Sequence, residues 1–166
     1  SQFERIPISD EKQEAMLQRQ IDDLEMAIQS ARYEQDGGRY TVKQIEKTRK
    51  TLQTRLEKLN QKEKKDQVVT FEELGVDHLY VDEAHSYKNA FLYTKMRNVA
   101  GIAQNEAQKS ADMFNKCQYL DEITGGKGIT FATGTPISNS MTELYVMQRY
   151  LQNSKLQNMG LGLFDS

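Results

Sequence analysis

The sequence predicts an α/β fold with parallel strands that carries a long antiparallel helical hairpin, and three observations predict it. Apolar residues recur at heptad spacing between residues 9 and 66, interrupted once by a Gly-rich break. The apolar run Leu79-Tyr80-Val81 ends in two adjacent acids, Asp82-Glu83. A second apolar run, Gly128-Ile129-Thr130-Phe131-Ala132-Thr133, ends in Gly134-Thr135-Pro136. Strands that end in polar residues and then turn into loops or helices are where open α/β sheets place their ligands.

Along the chain, residues 1–8 read as an extended lead-in, because Pro7 disfavours a helix just before it. From Ser9 the pattern becomes helical. Leu17, Ile21, Leu24, Ile28 and Ala31 form one heptad seam, and Val42, Ile45, Arg49, Leu52, Leu56 and Leu59 form another with Arg49 as its misfit. Asp36-Gly37-Gly38-Arg39-Tyr40 breaks the two, and Thr41 with Gln44 is spaced as a capping box that restarts the helix. Each arm then has about 20–23 residues and a length of about 30–35 Å. The reading for residues 9–66 is therefore a hairpin.

Residues 67–153 form the α/β part. Thr70 and Glu73 cap a short turn that Gly75 ends, and His78–Asp82 is the first strand. Tyr87–Ile102 reads as loop, Glu106–Ile123 as a helix stopped by Gly125-Gly126, and Gly128–Thr133 as the second strand. Thr135 as N-cap and Pro136 at the first helical position would open a helix to about Leu151, with Ile137, Met141, Leu144, Tyr145, Gln148 and Leu151 on its inner side. Residues 154–166 read as a truncated tail.

Composition narrows the class. Hydrophobic residues make up 37% and charged residues 28%, with a net charge of −2. No apolar stretch is long enough for a membrane span and no secretory signal is present, which points to a soluble, cytoplasmic protein. A single cysteine, Cys117, excludes an internal disulfide and a Cys-based zinc site. It falls on a helical face with Ala107, Ala111, Phe114 and Leu120, as a buried structural thiol does. His78 lacks partner spacing and reads as structural. The near-neutral net charge means that any DNA contact must be local.

The acids carry the chemistry. A strand ending in two carboxylates can hold Mg²⁺ with the first and orient or deprotonate water with the second. Taken alone, Asp82 and Glu83 could equally be surface acids, and Thr133-Gly134-Thr135 a plain strand exit. No G-x-x-x-x-G-K-[ST] phosphate cradle occurs in these residues, and Gly125-Gly126-Lys127-Gly128 has the wrong spacing for one.

Two strings together resemble the second and third motifs of superfamily 2 helicases of the DEAD/DEAH-box type, most closely the Swi/Snf-like branch. They are Asp82-Glu83-Ala84-His85-x-x-Lys88-Asn89 and Thr133-Gly134-Thr135-Pro136-Ile137-x-Asn139-Ser140-x-x-Glu143-Leu144. The likeness covers roughly residues 71–151, and Phe3-Glu4-Arg5-Ile6-Pro7 is similar to the tail of an upstream motif. Lys95–Gly101, Tyr119–Gly126 and the stretch after Leu151 further resemble large bacterial helicase-like proteins of phages and mobile elements, some fused to adenine methyltransferases. Ser86-Tyr87 and Ser138 depart from the branch's pattern at positions that bear on partner contacts.

The resemblance implies a partial RecA-like (P-loop NTPase) lobe, the C-terminal half of a first motor lobe, in an ATP-dependent DNA translocase. It implies that Asp82 holds Mg²⁺ through water, that Glu83 positions the water attacking the γ-phosphate of ATP, and that His85 links this site to the third motif. Thr133, Gly134, Thr135, Lys88 and Asn89 would couple nucleotide state to DNA. The implied partners are duplex DNA, the remaining motor lobe, and a fused or associated DNA methyltransferase. Without its phosphate cradle this piece is expected to be inactive alone.

A different class of function stays open. The hairpin could be an interaction module, with Arg39, Lys43, Lys47 and Lys50 near its bend contacting phosphates; a solvated face is the ordinary reading of such residues. A third option is dimerisation through the heptad seam.

Overall fold

The computed structural model describes residues 2–33, 38–61, 69–88, 90, 108–138 and 140–162; of residues 33, 38–41 and 44 only the backbone is described. The chain forms two compact units. One comprises Ser1–Ile6 with Phe71–Ser166, and the other is Pro7–Thr70, which lies between those stretches in sequence.

In the second unit, Ser9 opens helix α1 (Asp10–Tyr33). Its hydroxyl lies 3.4 Å from the Lys12 amide, and its carbonyl accepts the Gln13 N–H. Asp10 and Glu11 then place negative charge on the first turn, where the helix dipole favours it. Helix α2 (Gly38–Asn60) runs antiparallel to α1: Arg32 pairs with Glu46 at 3.1 Å and Arg49 with Glu25 at 2.9 Å, in reversed order. Arg49, the misfit of the second seam, is thus half-exposed and paired across to the other helix. Ile21, Leu24, Ile28 and Ala31 are buried, as are Ile45, Leu52 and Leu56. Leu17, Val42 and Leu59 lie at the margin.

The helix restart differs from the expectation. Gly38-Arg39-Tyr40 already lie in α2, so Thr41 is inside the helix and is not its N-cap. A glycine costs little at a helix start, where the amides have no intrahelical partner in any case. Asp36 and Gly37 of the expected break lie outside the described residues.

In the first unit, β1 (Leu79–Val81) and β2 (Ile129–Phe131) pair in parallel, with Leu79 opposite Ile129, Tyr80 opposite Thr130 and Val81 opposite Phe131. Parallel neighbours need a crossover, and α3 (Gln108–Thr124) lies on it. Helix α4 (Thr142–Asn158) follows β2. The core joins Val81, Ala84, Met113, Phe114, Cys117, Val146 and Tyr150, with Leu79, Ile129 and Phe131 packed against it from one face of the sheet. The Tyr150 hydroxyl reaches the carbonyls of Tyr87 at 2.9 Å and Ser110 at 3.2 Å, which ties α4 to both neighbours.

Gly125 and Gly126 adopt φ of 63° and 83°, and the Gly126 amide closes on the Asp121 carbonyl at 3.1 Å. This is a helix stop. A Cβ on Gly128 would lie 2.9 Å from the Asp77 carbonyl, so only glycine fits the entry to β2.

Two expectations fail here. Residues 1–8 are not simply extended, because Phe3–Arg5 form a 3-10 helix. Its docking is fixed by Lys116, fully buried, whose ammonium donates to the Phe3 carbonyl at 2.9 Å and to Asp112 at 2.6 Å and sits 4.3 Å from the Phe3 ring centre. Phe3 in turn meets Phe71 edge-on at 6.0 Å. Sequence spacing gives no sign of a contact spanning 113 positions.

The second failure concerns α4, which starts at Thr142 and not at Pro136 and runs past Leu151 to Asn158, into the expected tail. Thr135 does not cap it; its amide instead turns back to the Thr133 hydroxyl at 3.1 Å. The buried side of α4 carries Glu143, Val146, Met147, Tyr150 and Asn153, whereas Ile137 and Met141 are exposed. Glu143 draws the amide of Ser138 to its carboxylate at 2.6 Å, which satisfies that donor outside any helix.

Candidate functional site

The parallel register brings the ends of β1 and β2 together. Beyond Phe131, the Ala132 amide donates to the Val81 carbonyl at 2.8 Å, and the Ala84 amide donates to the Ala132 carbonyl at 3.1 Å. Asp82-Glu83 and Thr133 therefore leave the sheet side by side.

Glu83 adopts φ 51° and ψ 43°, the left-handed region, and is the one described non-glycine residue with positive φ. That conformation costs on the order of 1 kcal/mol for a residue with a Cβ. Asp82 offsets part of it, because its Oδ1 accepts the Glu83 amide at 2.9 Å. The sharp turn leads directly into the 3-10 helix Ala84–Tyr87 and leaves both carboxylates at the surface.

His85 joins the two strand ends. Its Nδ1 lies 3.1 Å from Glu83 Oε2 and 3.1 Å from Thr133 Oγ1. The imidazole tautomer sets the direction of the bond to Thr133, and a hydrogen on Nδ1 would also face the Glu83 carboxylate. Thr133 Oγ1 also accepts the Thr135 amide at 3.1 Å.

A second link lies deeper. Lys88 Nζ is 3.0 Å from Glu143 Oε2 and 2.7 Å from Ser138 Oγ. The two charged side chains are only 11% and 5% exposed. Glu143 also holds the Ser138 amide, so one carboxylate fixes the turn after β1, the loop after β2 and the first turn of α4. Charge-assisted bonds of this kind are the stronger ones.

The structure thus gathers Asp82, Glu83, His85, Lys88, Thr133 and Thr135 at one end of the sheet. Asn89 and Asn139 lie outside the described residues. Gly134 and Thr135 are exposed. Lys43, Lys47 and Lys50 are exposed on α2, in the other unit, and Arg39 is described by its backbone alone. His78 bonds Thr130 Oγ1 at 2.9 Å and stacks on Tyr80, on the sheet face away from the core.

Glu143 and Ser138 are the site residues that sequence reasoning left out. The signal was present: Glu143 stands in the same string as Thr133, and a lysine in a tight turn after a strand needs a carboxylate if it is to be buried.

Among the described residues no three metal-ligating side chains converge. A lone carboxylate suits Mg²⁺, which keeps several waters and takes its other ligands from phosphates. Asp82, exposed and with one oxygen engaged, fits that donor set. No described helix is long and apolar enough to cross a membrane.

Over 104 residues, 60% of this chain, the sequence is 32% identical to "Defense against restriction protein B" of Escherichia phage P1, and the match spans 4% of that protein's length. No solved structure matches the chain. A family model described as "Probable helicase domain" matches residues 1–166, the whole sequence, and the chain belongs to that family.

Proposed function

We propose that this chain is part of the ATP-driven motor of a Swi/Snf-like DNA translocase, contributing the carboxylate pair of the hydrolytic site and the segment that couples it to DNA. One observation carries the reading. The parallel pairing sets Glu83 and Thr133 on a single imidazole, His85, at 3.1 Å each. A site that hydrolyses a nucleotide and reports its state needs such a connection between the water-positioning acid and a neighbouring strand end.

In this reading Asp82 holds Mg²⁺ through water, and Mg²⁺ when bound neutralises charge on the β- and γ-phosphates of ATP. Glu83 orients the attacking water and draws its proton. His85 keeps the Glu83 carboxylate in place, and Thr133 ties that imidazole to the end of the second strand. Lys88 and Glu143 fix the two segments that carry these groups, with Gly134, Thr135 and Asn89 completing the coupling segment. Catalysis of this kind is mostly placement and charge stabilisation.

The two-stranded sheet supports a partial RecA-like lobe. Parallel sheets are normally covered on both faces, yet Tyr80 on the outer face is 75% exposed. Further strands and helices of the same lobe would cover it, and α1–α2 would be an inserted hairpin. The phosphate cradle and the second motor lobe would come from elsewhere in a longer protein. Duplex DNA, a fused or associated DNA methyltransferase and a cytoplasmic setting belong to the same proposal, as does any share in the relative's named defence against restriction.

The test is ATP turnover by the full-length protein, with and without duplex DNA. Glu83→Gln is expected to bring DNA-stimulated hydrolysis to background, with Glu73→Gln, on an exposed turn, as the neutral control. Wild-type turnover in Glu83→Gln overturns the proposal. The present chain alone is expected to hydrolyse no ATP.

A further inference from the structure

The two helices of the second unit are segregated by charge. Helix α1 carries six acidic residues against three basic ones. Helix α2 carries seven basic residues against two acidic ones. This contrast sits inside a chain whose net charge is only −2.

The fold sorts it further. Ile45, Leu52 and Leu56 bury one side of α2, and Arg49 is spent on Glu25. The opposite side exposes Lys43, Lys47, Lys50 and Lys58, at spacings of four, three and eight residues. Among the described residues none of these four lysines is held in an ion pair. Of the two acids on α2, Glu46 is held by Arg32, while Glu57 borders the row near its end. Thr51 and Thr54 lie beside the lysines and donate their hydroxyls to the Lys47 and Lys50 carbonyls, at 3.0 Å each. The result is a straight row of ammonium groups about 22 Å long, at 1.5 Å per residue.

We infer that this face of α2 is a contact surface for the sugar-phosphate backbone of duplex DNA. It rests on the proposed function only for the class of partner. A rigid line of cations matches a stiff polyanion whose charges repeat about every 3.4 Å along each strand. Among the described residues the row exposes no aromatic side chain of the kind on which proteins stack single strands. Among the same residues it exposes no apolar side chain to bury in a lipid surface. Flexible lysines, in place of side chains that read base edges, make the contact sequence-independent.

The test uses the full chain and a fluorescent 30-base-pair duplex of arbitrary sequence, titrated by anisotropy from low to physiological salt. Wild type is expected to bind at low salt with an affinity that falls steeply as salt rises. Replacing Lys43, Lys47, Lys50 and Lys58 by Gln is expected to weaken low-salt binding at least tenfold. It should also reduce the slope of log K against log salt by up to about 3.6, since each phosphate contact contributes about 0.9. Circular dichroism should show that this variant keeps its helices, because all four side chains are exposed. Glu73→Gln, on an exposed turn of the other unit, should bind as wild type does, and because the titration contains no nucleotide its outcome is separate from the hydrolytic reading. The inference is overturned if wild type does not bind the duplex, if the four-lysine variant binds like wild type, or if a single strand of equal length binds as tightly. It is also overturned if vesicles rich in anionic lipid bind the chain and the duplex does not.

Discussion

Removing Glu143 should be among the most damaging single changes in the α/β unit. Its carboxylate is 3.0 Å from Lys88 Nζ and 2.6 Å from the Ser138 amide, with side-chain exposures of 5% for Glu143 and 11% for Lys88. Breaking a buried pair by deleting one partner costs about 3–5 kcal/mol, because the other charge stays behind without compensation. Among the described residues, Glu143→Ala leaves the Lys88 ammonium with only the Ser138 hydroxyl and strips the Ser138 amide of its acceptor. Against a total stability of about 5–15 kcal/mol, that loss is a third or more. Lys88→Met should cost less, since the carboxylate keeps the Ser138 amide and hydroxyl. The double variant Lys88→Met/Glu143→Leu should recover much of the loss, as apolar pairs often replace buried ion pairs without penalty. Urea unfolding of the four chains gives both single costs and the stability that the double variant recovers. The reasoning fails if Glu143→Ala lies within about 1 kcal/mol of wild type, or if the double variant is no more stable than Glu143→Ala.

Three further outcomes follow from the same structure. Gly128→Ala should lower stability by about 1–3 kcal/mol in urea, because its Cβ would press on the Asp77 carbonyl, which is backbone and cannot rotate away; a neutral result would refute that crowding. Burial pushes the Cys117 thiol well above its ordinary 9.0, so it should react with a thiol reagent at neutral pH on the order of a hundredfold more slowly than in denaturant, and rapid labelling of the native chain would show the site to be open. Burial also holds the Asp112 carboxyl above its ordinary 3.8, against the opposing pull of Lys116. A carboxyl raised by folding binds its proton more tightly in the native state, so stability falls as pH rises from 3.8 through the raised value. The margin of wild type over Asp112→Asn should therefore shrink across that window, and a margin that grows with pH would contradict it.

What the sequence disclosed and what it hid divide along a physical line. The strands, the helix stop at Gly125-Gly126, the two heptad helices and the buried thiol follow from local patterns: alternation, glycine conformation and periodicity. The proximity of Asp82-Glu83 to Thr133 was legible only because both strings sit at strand ends of an α/β arrangement. The start of α4 was misread because Thr135-Pro136 carries a good local helix signal, and tertiary demand overrode it. The Glu143 carboxylate takes the Ser138 amide, and Thr133 takes the Thr135 amide, so the loop meets its hydrogen-bond needs without a helix. The apolar face assigned to α4 failed with it, since Glu143 and Asn153 face inward toward polar partners. The seat of Phe3–Arg5 on Lys116 was out of reach, because a buried lysine with a distant carbonyl leaves no periodic trace.

The two links between the strand ends differ in strength, and the difference bears on how the site could work. The Lys88–Glu143 pair is nearly enclosed, whereas the His85–Glu83 pair is 41% and 68% exposed. Exposed pairs contribute about 0–1 kcal/mol, so the contact from His85 to Glu83 can be exchanged for another at little cost, while the deeper pair resists separation by several times as much. The deep pair therefore holds the turn after β1 and the loop after β2 at a fixed spacing. On that frame Glu83, His85 and Thr133 can change partners. If nucleotide binding is read out through this segment, the change should register in the exposed trio and spare the buried pair. A spectroscopic probe on His85 would then shift with bound nucleotide, whereas one reporting on Lys88 would stay unchanged.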